Sequence, residues 1–487
     1  MKRAYFLSFL CLCAALLFAF PPSLAVRSNS EPQQKPLAFI HVAVIDVTGA
    51  ASAAAQADMT VVIRAGRIAE LGKSKQLPPP ADAQVIDASG KFLIPGLWDM
   101  HVHTWSNEVL AMYVANGITG VRDMGNPLGP ILQMREAVKS GKLLGPRIVA
   151  SGPIVDGPKP VWPFSIPVGS EAEGRKAVDD LKAQGVDFVK VYSLLPRAAF
   201  FGIADEAKRQ GIAFAGHVPV LVSVAEASDA GQKSIEHLTG VLMNCSTREA
   251  EMRRQLTDAM AGSDPKAGYQ TASRAQAKQS LETFSDEKAA VLFAKLAKNG
   301  TWQVPTLTVL RSVAYLDDEN FINDPRLKYL PPYFRLSWNP KNDFRFKERT
   351  PEDWSIAKQA YQKYLVIVGA MHRAGVPILA GTDSANPYVF PGFSLHDELG
   401  LLVKAGFTPM EALQAATLSP AKYLGTTATM GTIERGKTAD LVLLDADPLA
   451  DISNTQKIAA VVLAGKLIER SALNEMLTRL ETAAKKN

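Results

Sequence analysis

Residues 94–103 read IPGLWDMHVH: a Pro-Gly break, a short apolar run, and two histidines two positions apart at its end. In a β-strand the side chains of residues i and i+2 share a face, so His101 and His103 can aim at one point. Alone, such a pair suits packing as readily as ligation. The rest of the chain decides between them.

Outward from this stretch, apolar strand candidates alternate with helical stretches, at 96–103, 117–124, 147–152, 188–193, 213–218, 234–239, 302–307 and 378–383. That alternation predicts βα units and a parallel sheet, and eight units predict an α/β protein of the (β/α)8 TIM-barrel type. Such a barrel needs about 250 residues, and the span from His101 to Asp383 is longer. The excess falls at 245–298, helical in period, and at 311–360, where Tyr329, Tyr333, Phe334, Trp338 and Trp354 stand among prolines. Insertions after late strands sit at the mouth of a barrel, which predicts a lid or wall there. Short β runs at 39–47, 59–68 and 92–97 return at 440–444 and 459–467, which predicts a small β-sandwich built from both ends of the chain. The expected division is 26–97 and 425–487 for the sandwich and a terminal helix, with 98–424 for the barrel.

At the N-terminus, Lys2 and Arg3, an apolar run over 4–20 and Ser23-Leu24-Ala25 have the form of an export signal cleaved after residue 25. This predicts a periplasmic or secreted protein with no membrane attachment after cleavage. An uncleaved anchor is the competing reading, and the run lies at the bottom of the spanning range. Cleavage would leave one cysteine, Cys245, so the mature fold is expected to rest on its core rather than on a disulfide. Lys and Arg number 53 against 48 Asp and Glu, a net charge of +5 spread without a basic tract, which gives no footprint for nucleic acid. An apolar fraction of 47% with 34 Gly and 31 Pro, and no heptads, excludes disorder, collagen-like repeats and coiled coil.

Four of the seven histidines, His101, His103, His217 and His237, fall at the C-terminal ends of strand candidates. His217 in FAGHVP (214–219) and His237 in SIEHLTG (234–240) lie one βα unit apart, so successive strands would set them side by side. Asp383 closes the eighth candidate in ILAGTDSANP (378–387). Four imidazoles and a carboxylate at five strand ends match the preferences of zinc or a similar borderline ion. Lys190 ends the fourth candidate in DFVKVYS (187–193), between apolar residues. Burial lowers the pKa of an amine, and a neutral amine can add carbon dioxide to give a carbamate able to bridge two cations.

These strand ends occur with VIDVTGA (44–50), VIDASGKFLIPGLWDMHVH (85–103), HDELGLLVKAGFTPMEALQAATLSPAKYLG (396–425) and GTIERGKTADLVLLDADP (431–448). Together, over about 36–470, they resemble the amidohydrolase superfamily, in its imidazolonepropionase-like group of prolidase-type and ochratoxinase-type enzymes. The resemblance implies two divalent metal ions, zinc first among them. His101, His103 and Asp383 would hold the buried ion, His217 and His237 the more exposed one, and N6-carboxylated Lys190 would bridge both with a hydroxide. It implies hydrolysis of a C–N bond in an amide, dipeptide, N-acyl amino acid or cyclic amide, with Asp383 carrying a proton from the attacking water to the leaving nitrogen. Tyr192 matches a tyrosine that touches substrate in such relatives, and Trp162 is an aromatic candidate for the pocket. His396, in FSLHDEL, is expected to support the site or cap a helix, while His41 and His372 are read as structural. One departure stands out: many prolidase-like relatives carry a histidine after strand three, and the segment GPIVDGPKPVWPFS (152–165) has none. The expected partner is a small-molecule substrate, and a homo-oligomer is compatible with the lid-bearing relatives. Two other readings stay open, a one-metal deaminase of the same superfamily and a catalytically inactive binding protein. Lys190 argues against the first and the complete ligand set against the second.

Overall fold

A computed structural model describes residues 35–50 and 54–486, so the expected export signal lies outside the described residues. Among the described residues no helix is long and apolar enough to cross a membrane.

Both ends of the chain build one mixed sheet. Leu37–Val44 and Gln56–Arg64, rich in β-branched residues, pair antiparallel, and Arg67–Lys73 follows through a turn at Ala65-Gly66. From the other terminus come Leu441–Leu444, Ile458–Leu463 and Lys466–Glu469. The two halves meet where Phe92–Pro95 lies antiparallel to Leu441–Leu444, with Ile94 opposite Val442. With Gln84–Asp87, which runs parallel to Leu37–Val44, these eight strands belong to one hydrogen-bonded sheet. Its inward side chains, among them Val61, Ile63, Leu93, Leu441 and Val462, make a core of their own.

Between the termini the strands are parallel. Leu97–Val102, Ile118–Asp123 and Arg147–Ala150 form one ladder; Ile154–Asp156, Phe188–Val191, Ala213–Gly216, Ser234–Glu236 and Trp302–Val304, with Ile166–Pro167 at one edge, form a second. Leu97–Val102 and Ile118–Asp123 are buried at every position, as strands covered by helices on one side and packed side chains on the other must be. The eighth expected strand is held by isolated bridges instead of a ladder: Ile378 pairs with Gln303, and Ser384 with Val102. The reason lies in Asp99, whose carboxylate accepts from the Thr382 backbone N–H at 3.0 Å and from its hydroxyl at 2.7 Å, replacing ladder bonds with side-chain ones. The segment still spans the two ladders, because Leu379 donates to the Gln303 carbonyl at 2.9 Å and Asp383 to the His101 carbonyl at 2.7 Å. At the other break, Asp187 donates to the Ala150 carbonyl at 2.9 Å.

Helices follow the strands and begin where the sequence provides caps: Ser170 with Glu173, Thr350 with Asp353 and Thr408 with Glu411 form reciprocal capping boxes. The 245–298 insertion becomes the helices Glu249–Met260, Pro265–Glu282 and Asp286–Asn299. The 311–360 insertion contributes Pro332–Ser337 and an aromatic cluster in which Phe334, Trp338 and Phe346 pack with Tyr388 and Phe390.

Close strand packing around the first histidine pair depends on Gly120, since a Cβ there would fall inside the indole of Trp98 on the neighbouring strand. Gly120→Ala is expected to lower stability by about 1–3 kcal/mol, the usual cost of overpacking, read as a lower denaturant midpoint. An unchanged midpoint would contradict this packing.

Candidate metal centre

The parallel strands end on one side of the molecule, and their last residues carry the chemistry. His101 and His103 leave the end of Leu97–Val102, Lys190 lies in Phe188–Val191, His217 and His237 follow Ala213–Gly216 and Ser234–Glu236, and Asp383 follows the bridged segment. All six line one cavity of 780 Å³. The i, i+2 pair behaves as its spacing predicts, with ring centroids 5.6 Å apart, and His217 stands 4.9 Å from His237.

Each histidine is held by its Nδ1. That of His101 meets Glu236 Oε2 at 2.7 Å, that of His103 the Gly125 carbonyl at 3.0 Å, that of His217 Ser193 Oγ at 2.8 Å, and that of His237 Thr306 Oγ1 at 2.7 Å. A carboxylate and a carbonyl only accept, so His101 and His103 carry their proton on Nδ1. Thr306 spends its own hydroxyl proton on the Pro305 carbonyl, at 2.8 Å, and therefore accepts from His237 as well. The Nε2 atoms of these three face Asp383, with His103 Nε2 3.1 Å and His101 Nε2 3.4 Å from Oδ1, and His237 Nε2 3.7 Å from Oδ2.

Lone pairs aimed at a carboxylate need something positive between them. Burial drives the pKa of His101 and His217 well below the usual value and that of His237 down to about 4, so these rings are neutral near pH 7. For His103, burial is outweighed by the Asp383 carboxylate beside it, which lifts its pKa. Asp383 is buried too, yet His237 and His103 hold its pKa below the ordinary carboxylate value. The buried atoms His101 Nε2 and Asp383 Oδ1 have no hydrogen-bond partner. Such orphaned groups cost about 1–3 kcal/mol each unless a ligand satisfies them. Ligand atoms of His101, His237 and Asp383 lie within 4.8 Å of one another, and a divalent cation fits this donor set. That tightest set takes one residue from across the expected division, His237 joining His101 and Asp383.

Lys190 is 1% exposed, and burial pulls its pKa down to about 8. Gly216, at φ +137°, clears room for it, since a Cβ there would approach Lys190 Cδ to 2.9 Å. Tyr192 stacks on His217 with ring centroids 3.9 Å apart and accepts from the Trp162 indole N–H at 3.0 Å, so both expected substrate residues line the cavity. The 311–360 insertion reaches it through Tyr333, Phe334 and Trp338, whereas Tyr329 stacks on Phe393 and Trp354 packs at a tilt on Phe346, and the 245–298 helices do not line it.

Of the two roles expected for His396, support of the site or capping of a helix, the structure shows the second, at Asn116, which ends the helix Val109–Ala115. The His396 ring lies between the Asn116 carbonyl, 3.0 Å from Nε2, and Thr455 Oγ1, 2.9 Å from Nδ1, and does not line the cavity. Two residues along a helix is a turn of about 200°, so Glu398 takes the inward side. Its carboxylate, pushed up to about 8 by burial, accepts from Leu307 N–H at 2.9 Å and Thr308 N–H at 2.8 Å, fixing the turn that carries Thr306.

Sequence reasoning also missed Arg122 and Glu236. Arg122 is fully buried, and its Nη2 lies 3.0 Å from both oxygens of Glu236, whose Oε2 in turn holds His101. An arginine within a strand candidate, and a glutamate directly before a strand-end histidine, were the available signals.

Comparison with known proteins finds the amidohydrolase family model over residues 362–468. The chain is 24% identical over 409 residues to an ochratoxinase of Aspergillus niger, covering 76% of this chain and 73% of that protein. Among solved structures, bottromycin amidohydrolase superposes with a TM-score of 0.72 at 24% identity, covering 93% of this chain and 91% of that one. A putative prolidase from Bifidobacterium longum gives a TM-score of 0.66 at 24% identity, covering 92% and 100%.

Because Glu236 fixes the His101 proton on Nδ1, Glu236→Gln should weaken divalent-metal binding by about 10–100-fold, measured by competition with a chromophoric chelator. Unchanged affinity would mean that Glu236 serves Arg122 alone.

Proposed function

Since the chain carries an amidohydrolase family domain and is homologous to ochratoxinase, we propose that it is a metal-dependent hydrolase of C–N bonds in small amides, dipeptides or N-acyl amino acids. The observation that carries this reading is the convergence of the His101, His103 and His237 Nε2 atoms on the Asp383 carboxylate, with His101 and His237 neutral. In this reading the two parallel ladders, with 378–383 between them, are a (β/α)8 barrel over 98–424. The terminal sheet is a sandwich of 26–97 and 425–487, and residues 1–25 are an export signal.

His101, His103 and Asp383 would hold one divalent ion, zinc by ligand preference, and His217 and His237 a second. When bound, such ions polarise a carbonyl and lower the pKa of water. Lys190, its pKa pulled down to about 8 by burial, is neutral far more often near pH 7 than an exposed lysine, and its Nζ would add carbon dioxide to form an N–C bond with loss of one proton. The resulting carbamate would offer one oxygen to each ion. Asp383, held anionic and rigid beside His103, takes the proton of the attacking water as the new C–O bond forms. It delivers that proton to nitrogen as the C–N bond breaks. Tyr192, buttressed by Trp162 and His217, bounds the space where the substrate carbonyl sits.

A one-ion reading has one observation in its favour, the tight His101, His237 and Asp383 set. Metal analysis by mass spectrometry separates the two, at about two ions per chain against one.

Lys190→Ala should abolish turnover and lower bound metal, because the carbamate supplies one oxygen to each ion; full occupancy with near-normal rate would sink that assignment. Asp383→Asn keeps an oxygen donor while losing the titratable group. Metal should be largely retained and kcat should fall by about 10²–10⁴, the range for a general acid–base residue. Were both metal and rate kept, the proton would have to travel by another group.

A further inference from the structure

Resting on the hydrolase reading, we propose that the cavity beside the histidine cluster takes an uncharged, planar aromatic group on one side of the scissile amide. One aromatic face begins at the cluster itself. Tyr192 stacks on His217, Trp162 bonds to Tyr192, and Phe164 and Phe344 flank Trp162 at centroid distances of 6.4 and 6.0 Å. A second face is brought by the 311–360 insertion, where Phe334 lies 5.1 Å from Trp105, 4.4 Å from Tyr333 and 5.2 Å from Trp338. Rings in the interior of a protein are normally covered, yet Phe164 is 44%, Tyr333 54% and Phe344 36% exposed, all on this one cavity.

Away from the cluster, the charged side chains lining the cavity are Asp343 and Arg345, and they neutralise each other. Arg345 Nη2 lies 2.7 Å from Asp343 Oδ2, its Nη1 donates to Asn386 Oδ1 at 2.9 Å, and its guanidinium faces Trp162 at 5.8 Å and Phe346 at 4.9 Å. The guanidinium is thus spent on holding the insertion against the site. The 152–165 segment adds no histidine that could meet an anion. What is offered to a bound molecule is aromatic surface without net charge, which favours a flat neutral ring by stacking and edge contacts.

The test uses the full-length, metal-bearing protein. Calorimetric titration with 2-naphthamide and with acetamide reads binding without turnover. Hydrolysis of alanine 2-naphthylamide, N-(2-naphthoyl)glycine, its neutral amide and alanylalanine reads preference. Naphthamide is expected to bind and acetamide not to, with Phe344→Ala and Trp162→Ala each weakening it about tenfold, the worth of an aromatic pair. A naphthyl compound should exceed alanylalanine in kcat/KM by at least about tenfold, with the neutral amide cleaved no worse than the acid. Alanylalanine cleaved as well as the naphthyl compounds, with no naphthamide binding, would overturn the aromatic site and leave the hydrolase reading standing. A strong preference for the acid over its amide would overturn the uncharged half of the proposal. Naphthamide binding that Phe344→Ala weakens, without cleavage of any compound, would support the aromatic site while the hydrolase reading fails.

Discussion

Two neutral imidazoles, His101 and His237, turn their Nε2 lone pairs toward one buried carboxylate, Asp383, which also accepts. His101 Nε2 and Asp383 Oδ1, both without a hydrogen-bond partner, mark the centre of this arrangement. Two such groups cost about 1–3 kcal/mol each, a large share of the stability of any domain, and a divalent cation would satisfy both. Much of the surrounding structure holds this geometry in place. Glu236 orients His101, Arg122 neutralises Glu236, Glu398 secures the turn that carries Thr306, and Thr306 orients His237.

The backbone carries some of the same burden. His237, Thr306 and Asp383 adopt left-handed conformations at φ of +57°, +48° and +64°, unusual for side chains larger than glycine. Residues in such conformations persist where neighbours over-determine them, and they gather at functional sites. Here they lie at three strand ends that face the cavity. The strands thus set the reactive groups, while the 311–360 insertion and the loop at 152–165 supply the aromatic walls.

The ligand set was legible because strand periodicity and Gly or Pro punctuation place a residue at a strand end without knowledge of its neighbours. His101, His103, Lys190, His217, His237 and Asp383 all follow that rule, and all line one cavity. The supporting residues were not legible, since Arg122, Glu236 and Glu398 act through partners distant in sequence. His396 was legible only as one of two roles, because its bond to the helix-ending Asn116 carbonyl joins residues far apart in sequence. The eighth strand was expected as a ladder, but the Asp99 carboxylate takes the bonds that a ladder would have used. The aromatic insertion was legible as a wall in part, because composition reveals aromatic density without saying which rings face inward.

In the proposed centre, Lys190 and Asp383 join four histidines around two cations. Crystals of the protein grown with zinc, with diffraction collected on both sides of the zinc absorption edge, test it most directly. The account predicts two anomalous peaks, one among His101, His103 and Asp383 and one at His217 and His237, joined by forked density on Lys190 Nζ. A bare Lys190 amine with one peak, or with none, would contradict it.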